Sequence, residues 1–231
     1  MKKITLAALT LTAILSFISY EGGKTLAASE VSADKTATDD LEKQAYTGNN
    51  RTLVVYFSMP ETSDPENMTE DENNSTVVIN GKVLGNTQYV AYIIREQTGG
   101  DLFRIEPETA YPANHRKLVD LAREEKRDNR RPGLKADVEN IDQYETVFLG
   151  YPIWWSDFPM IIYSFLGKYD LSGKRVIPFS THGGSGLAGT VERLKEVEPD
   201  ADVIENAFTV SRDYVENSRK DVINWLNELG Y

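Results

Sequence analysis

Two adjacent tryptophans are the most distinctive pair of side chains in the sequence. Trp154 and Trp155 follow the apolar run 146–149 and are preceded by Pro152 and Ile153. An aromatic side chain that stacks on a planar ring stabilises it by about 1 kcal/mol beyond the area that the contact buries. We therefore expect this segment to form one wall of a site for a planar ring, with one of the two indoles packed in the ordinary core.

Polar residues at two other places could hold a charged group near such a ring. Ser58 ends the apolar run 53–57, and Asn86 and Thr87 directly follow Gly85 at the start of a helical pattern. Hydroxyl groups and the free backbone N–H groups at a helix start can bind a phosphate without any lysine or arginine. These residues predict a phosphate site; the alternative interpretation is that Asn86 and Thr87 only cap the helix.

A glycine-rich segment follows a further apolar run. It contains Thr181, His182, Gly183, Gly184 and Gly186. Glycine lets backbone N–H groups approach a ligand closely, because it has no side chain to keep the ligand away. We expect this segment to form hydrogen bonds with the polar edge of the ring. His182 lies either against the ring or at the surface.

Short apolar runs alternate with amphipathic stretches along residues 51–231. The predicted strands are 53–57, 101–106, 146–150, 175–180 and one within 203–210, and the predicted helices are 86–97, 113–130, 158–166, 187–196 and 213–229. This alternation predicts an α/β fold, a doubly wound five-stranded parallel sheet with helices on both faces. Ligands bind such sheets beyond the carboxyl ends of the strands. The three segments described above follow the first, third and fourth predicted strands.

These three segments, in this order, resemble the binding loops of the flavodoxin family. The phosphate loop of that family is a Ser/Thr-rich turn that ends in Gly-Asn-Thr. Here the insertion 59–84 separates Ser58 from Gly85-Asn86-Thr87. The insertion carries Asn-Gly at positions 80–81 between β-forming residues, which predicts a hairpin. The Gly-Tyr-Pro-Ile-Trp-Trp segment and the glycine segment are similar to the two ring-binding loops, so the resemblance extends over about 52–229.

The resemblance implies a flavodoxin-like domain at 51–231 that binds FMN non-covalently. Ser58, Asn86 and Thr87 would hold the phosphate, and residues 152–155 and 181–186 would frame the isoalloxazine ring. FMN carries the redox chemistry, while the protein sets its orientation and potential. The implied function is electron transfer to or from a redox partner protein or a small-molecule acceptor, with no catalytic side chain required.

Other functions are compatible with the same residues. An FMN-dependent NAD(P)H or quinone reductase has the same fold and a similar aromatic loop, and rapid bleaching of the flavin by NADPH would identify it. A binding module could retain the fold without the cofactor. A hydrolase is disfavoured, because His182-Gly183-Gly184 resembles an oxyanion loop but the sequence has no Gly-x-Ser-x-Gly nucleophile motif.

Composition restricts the chemistry further. The chain has no cysteine and two histidines, which excludes disulfides, thiolate metal sites, iron–sulfur clusters and cysteine nucleophiles. A net charge of −11 argues against nucleic acid or an anionic membrane as a partner and favours a partner with a basic patch. The basic run 123–131 is interpreted as a solvated helix face, with a docking patch as the alternative. The acidic run 64–72 is interpreted as a solvated turn, because its spacing matches no calcium loop.

The N-terminus of the sequence predicts export. Lys2 and Lys3 precede the apolar run 4–20, and small residues follow up to Ala28. This pattern predicts a signal peptide at 1–28 and a disordered linker at 29–50, with the domain outside the cytoplasm and not inserted in the membrane after cleavage. A retained membrane anchor is the alternative, because the apolar run is close to the length that spans a bilayer.

Overall fold

A computed structural model of the protein describes residues 51–231. The signal peptide predicted at 1–28 and the linker predicted at 29–50 lie outside these residues. The strands are β1 Thr52–Phe57, β2 Thr76–Ile79, β3 Lys82–Gly85, β4 Asp101–Ile105, β5 Thr146–Pro152, β6 Arg175–His182, β7 Asp202–Val203 and β8 Phe208–Ser211. The α-helices are α1 Glu70–Asn73, α2 Asn86–Thr98, α3 His115–Arg127, α4 Met160–Leu166, α5 Thr190–Val197 and α6 Arg219–Leu229. Two 3₁₀ helices cover Ile141–Gln143 and Arg212–Asn217.

The central sheet is parallel and has the order β4-β1-β5-β6, with β7 and β8 both paired to β6. The predicted doubly wound parallel sheet is therefore confirmed. The fifth strand, expected as one run within 203–210, is divided in two. Val203 pairs with Val176 and Phe208 pairs with Phe179, so between these two pairs the edge strand has more residues than its partner.

Helices cover both faces of the sheet, as predicted. Successive residues of a strand point to opposite faces. Val55 of β1 belongs to the core cluster covered by α3, α4 and α5, whereas its neighbour Val54 belongs to the cluster covered by α2 and α6. Because β1 is apolar at every position and buried throughout, both faces can exclude water.

The insertion 59–84 forms a small unit beside the sheet. β2 and β3 pair antiparallel around the predicted Asn80–Gly81 turn, in which φ is 52° and 79°. Both residues adopt the left-handed backbone conformation, as a two-residue turn of this kind requires. The acidic run expected to be a solvated turn contains the one-turn helix α1, which Thr69 caps by accepting a hydrogen bond from the Glu72 N–H. β3 leads into α2 without an intervening loop.

Helix α3 begins two residues later than the sequence pattern predicts. The Asn114 side-chain oxygen accepts a hydrogen bond from the Lys117 N–H at 3.1 Å and so caps the helix. His115 therefore occupies the first helical position. No helix within 51–231 is long and apolar enough to cross a membrane.

Candidate functional site

A cleft of about 890 Å³, which includes the open space at its mouth, lies at the carboxyl ends of β1, β5 and β6. Ten of the twelve residues that the sequence analysis selects line this cleft: Ser58, Asn86, Thr87, Pro152, Ile153, Trp154, Trp155, Thr181, His182 and Gly183. Gly184 and Gly186 do not line it. The three segments thus meet at one edge of the sheet, because parallel strands present their carboxyl ends together.

The start of α2 forms one end of the cleft. The Asn86 N–H donates to Ser75 O at 3.1 Å, and the Asn86 Nδ2 donates to Asn74 O at 3.0 Å. The Asn86 Oδ1 is buried and has no hydrogen-bond partner in the described part of the chain. The insertion therefore holds Asn86 in place and uses one of the free N–H groups of the helix. The next N–H groups, of Thr87 and Gln88, remain for a ligand.

Close contacts across the cleft fix the polar residues. The backbone of Gly85 lies so near Ser58 that a Cβ at position 85 would be 2.1 Å from the Ser58 Oγ. The Thr87 and Thr181 hydroxyls are 2.8 Å apart and form a buried hydrogen bond. This bond joins the start of α2 to the end of β6, so two of the predicted ligand-binding segments are in direct contact.

The two tryptophans have different environments. Trp154 packs edge-on against Phe57 and Tyr111, with ring centroids 5.4 Å and 5.8 Å away. Trp155 is 46% exposed. Its Nε1 donates to Val119 O at 3.2 Å, and the Arg123 guanidinium lies 5.5 Å from its ring centroid. Trp154 is thus the indole with the core-packing role, although one side of it also lines the cleft, and Trp155 forms the outer rim.

A buried carboxylate supports the tryptophan loop. The Asp157 Oδ1 accepts hydrogen bonds from the Phe158 N–H and the Tyr163 hydroxyl, both at 2.9 Å. Its two oxygens also pair with Lys126 and Arg193, each at 3.3 Å. Burial, and secondly the bond to Asp157, raise the pKa of Tyr163 to about 12. Asp157 thereby ties the loop to α3, α4 and α5, a role that its place in the sequence does not indicate.

The loop has an unusual backbone where it turns. Trp155 and Ser156 have φ values of 52° and 57°. Residues other than glycine, asparagine and aspartate adopt this backbone conformation at a cost in free energy, so surrounding contacts must maintain it. The Trp155 O supplies one of these contacts, because it accepts a hydrogen bond from the Lys126 Nζ at 2.6 Å.

His182 is at the end of β6 and not within a loop. Its Nδ1 accepts a hydrogen bond from the Gly184 N–H at 2.8 Å. Burial lowers the pKa of His182, which the charge of Asp213 only partly offsets. At neutral pH the ring is therefore neutral, with its proton on Nε2. The chain then turns through Gly184 and Gly186, whose φ values are 120° and 59°.

Sequence reasoning missed several residues of the cleft: Met59, Glu61, Asn74, Ser75, His115, Leu118, Val119, Ala122 and Arg212. Those from α3 follow a helical spacing that the sequence shows. The four insertion residues carry no such signal, because their place depends on how the hairpin folds back. Arg212 comes from the far edge of the sheet and packs on Gly183, where an added Cβ would be 3.1 Å from its Nη1. Within 51–231, no group of three or more acidic or histidine side chains could hold a metal ion.

Comparisons with known proteins agree with this architecture. A family model described as flavodoxin matches residues 76–229. The chain therefore belongs to the flavodoxin family. No curated protein matches the chain significantly.

Solved structures resemble the chain over most of its length. A protein from Bacteroides eggerthii, provisionally described as a flavoprotein, is 28% identical, with a TM-score of 0.57, covering 79% of this chain and 99% of its own. A protein from Bacteroides uniformis with the same description is 26% identical, with a TM-score of 0.56 and coverage of 75% and 99%. A flavoprotein from Lactobacillus acidophilus in complex with FMN is 18% identical, with a TM-score of 0.53 and coverage of 77% and 99%. At that identity, the last of these shows a common fold only.

Proposed function

We propose that the chain binds FMN non-covalently in the cleft and uses it for electron transfer. The observation that carries the proposal is the meeting of a helix start, an aromatic wall and a glycine turn at the carboxyl edge of the sheet. Membership of the flavodoxin family and the FMN complex of the Lactobacillus acidophilus flavoprotein support the choice of ligand. FMN supplies one-electron and two-electron chemistry when bound.

The residues of the cleft fit the parts of FMN. The start of α2 offers N–H groups and the hydroxyls of Ser58 and Thr87 to a phosphate. Asn86 Oδ1, buried without a partner among the described residues, is suited to accept a hydrogen bond from a ribityl hydroxyl. Arg212 packs on Gly183, so its positive charge lies at the other end of the cleft. A phosphate dianion at the start of α2 is therefore matched by hydrogen-bond donors.

The ring end of the cleft is suited to a flat heterocycle. Ile153 and Trp155 present an apolar surface, and the Gly183 backbone provides the opposite edge. A glycine at this place permits the approach of polar edge atoms of the ring. We propose that a redox partner protein or a small-molecule acceptor exchanges electrons at the exposed edge near Trp155, and that residues 1–28 direct export.

A titration with FMN and riboflavin tests the proposal. Apo-protein is titrated into each flavin, and the quenching of flavin fluorescence measures the dissociation constant. Phosphate hydrogen bonds of about 1.5–3 kcal/mol correspond to a roughly 10- to 100-fold preference for FMN. Glu124→Gln, an exposed change on α3, is the control for charge alone. Absence of flavin absorption after desalting at micromolar protein would exclude this function and favour a cofactor-free binding module.

A further inference from the structure

An acid–histidine pair with a buried carboxylate lines the same cleft. Glu61 belongs to the insertion, and its side chain is only 3% exposed. Both of its carboxylate oxygens lie near the Nδ1 of His115, at 3.0 Å and 3.2 Å. The Glu61 N–H donates to the Ser75 Oγ at 3.2 Å, which fixes the backbone that carries the carboxylate. Glu61 is therefore held through its backbone by Ser75 and through its side chain by His115.

This contact determines which part of the imidazole faces the cleft. A carboxylate can only accept a hydrogen bond, so Nδ1 carries a proton. Nε2 is then the nitrogen available to a ligand, and no residue within 51–231 forms a hydrogen bond with it. The His115 side chain is 32% exposed and lines the cleft. A carboxylate that orients an imidazole through Nδ1 is the arrangement that prepares Nε2 for proton transfer.

His115 lies one helical turn before the residue of α3 that contacts the aromatic rim. Residues 115, 118, 119 and 122 share one face of α3, and all of them line the cleft. Val119 is one helical turn after His115, and its carbonyl accepts the hydrogen bond from the Trp155 indole. His115 is thus one turn from the residue that anchors the aromatic rim.

We propose that Glu61 and His115 form a proton-donating pair, which adapts the cleft to reduce acceptors of the quinone class. The inference rests on the proposed binding of FMN and adds an activity to it. A one-electron carrier needs no acid beside its cofactor. A quinone, by contrast, takes up protons together with electrons. A histidine with one nitrogen held by a buried carboxylate meets this need.

The step balances in atoms and electrons. A quinone becomes a hydroquinone by gaining two electrons and two protons. Both electrons and one proton would come from the anionic reduced flavin, FMNH⁻, which a nicotinamide dinucleotide or dithionite regenerates. The second proton leaves Nε2 of the His115 imidazolium for a quinone oxygen, so one N–H bond breaks and one O–H bond forms. The neutral imidazole keeps its Nδ1–H on Glu61 and regains the Nε2 proton from water.

The alternative role of the pair is mechanical. Glu61 lies in the insertion and His115 in α3, so their bond could simply fasten the insertion over the cleft. Such a fastening would affect FMN affinity and every redox activity to the same extent. A proton donor would affect quinone reduction selectively.

The experiment compares His115→Gln, Glu61→Gln and Glu61→Asp with the wild type and with Glu124→Gln. FMN affinity is measured first, by fluorescence titration. The loaded proteins are then reduced with dithionite and mixed in stopped flow with benzoquinone or with ferricyanide, which accepts an electron without a proton. We expect the ratio of quinone to ferricyanide rates to fall about 100-fold in His115→Gln and in Glu61→Gln. Glu61→Asp should restore part of this ratio, and Glu124→Gln should leave it unchanged.

A second readout requires no cofactor. In the apo-protein, the Nδ1–H proton of an imidazole bonded to a carboxylate gives a downfield NMR resonance. We expect this resonance in the wild type, its absence in His115→Gln and an upfield shift in Glu61→Gln.

Three outcomes would overturn the proposal: a ratio of rates unchanged in His115→Gln, an equal loss of FMN affinity and of both rates, or the absence of the resonance from the wild type. A wild type that binds no FMN at all would instead refute the proposed function and remove the quinone activity with it.

Discussion

Gly85→Ala tests whether the contact between Gly85 and Ser58 positions the phosphate site. Gly85 has φ −72° and ψ 148°, which alanine adopts without strain. The new methyl group would lie 2.1 Å from the Ser58 Oγ, 3.1 Å from the Ser58 Cβ and 3.2 Å from the Pro60 Cδ. The substitution therefore acts through a collision alone. Rotation of the hydroxyl relieves only the shortest contact, so the backbone of 58–60 must also move.

The magnitude follows from these distances. Non-bonded carbon atoms pack at about 3.5–4.0 Å, so the Ser58 hydroxyl must shift by more than about 1 Å. Overpacking of this kind costs about 1–3 kcal/mol of folding stability. In the proposed complex with FMN, a displaced hydroxyl also loses a charge-assisted hydrogen bond to the phosphate, about 1.5–3 kcal/mol. We expect FMN to bind roughly 10- to 100-fold more weakly.

The assay is a double-mutant cycle of Gly85→Ala and Ser58→Gly. Flavin fluorescence gives FMN affinity, and urea denaturation gives the free energy of unfolding. Ser58→Gly removes the hydroxyl and the Cβ and leaves only the 3.2 Å contact with the Pro60 Cδ, so Gly85→Ala should have little further effect in that background. Gly167→Ala, at the end of α4, is the control and should leave FMN affinity unchanged. Fully additive losses of affinity in the double variant would refute the reasoning, because the two changes would then act on separate features.

Three further predictions concern the two tryptophans, His182 at the end of β6 and the Glu198 carboxyl group. Trp155→Ala should weaken FMN binding about 2- to 10-fold. Trp154→Ala, by contrast, should lower the free energy of unfolding by about 3 kcal/mol. Equal effects of the two substitutions on thermal denaturation would contradict the assigned roles. Burial lowers the pKa of His182, so the unfolded chain takes up a proton first and stability falls as the pH drops below about 6.5. His182→Gln should reduce that fall in urea unfolding, and an identical slope in the variant would count against it. Burial, and secondly Asp170, raise the pKa of Glu198 to about 7 from the ordinary 4.5. The protonated Glu198 therefore stabilises the fold fully below pH 4.5, and this stabilisation is lost as the pH rises to about 7. Glu198→Gln should have a higher urea midpoint than the wild type at pH 8 but not at pH 4. The exposed Glu196→Gln is the control.

Local signals were sufficient for the elements of the sheet. The apolar run at β1, the helical pattern of α2 and the Asn80–Gly81 turn each depend on short stretches of chain, and the structure contains all three. Turn and strand chemistry of this kind is local, because it concerns the backbone conformation of a few neighbouring residues. The division of the last strand into β7 and β8 was not predictable in this way, since it depends on register against β6.

The candidate site shows the same distinction. By itself, the sequence determined which segments end strands, and therefore that Ser58, Trp155 and His182 meet at the carboxyl edge of a parallel sheet. Only the tertiary structure decided that Trp154 packs against Phe57 and that the Glu61 carboxylate meets His115, 54 residues away along the chain. Such contacts depend on how an insertion and a helix pack over the sheet. Residue spacing carries no information about that packing, because burial and hydrogen bonding between segments that are distant in sequence form only when the chain folds.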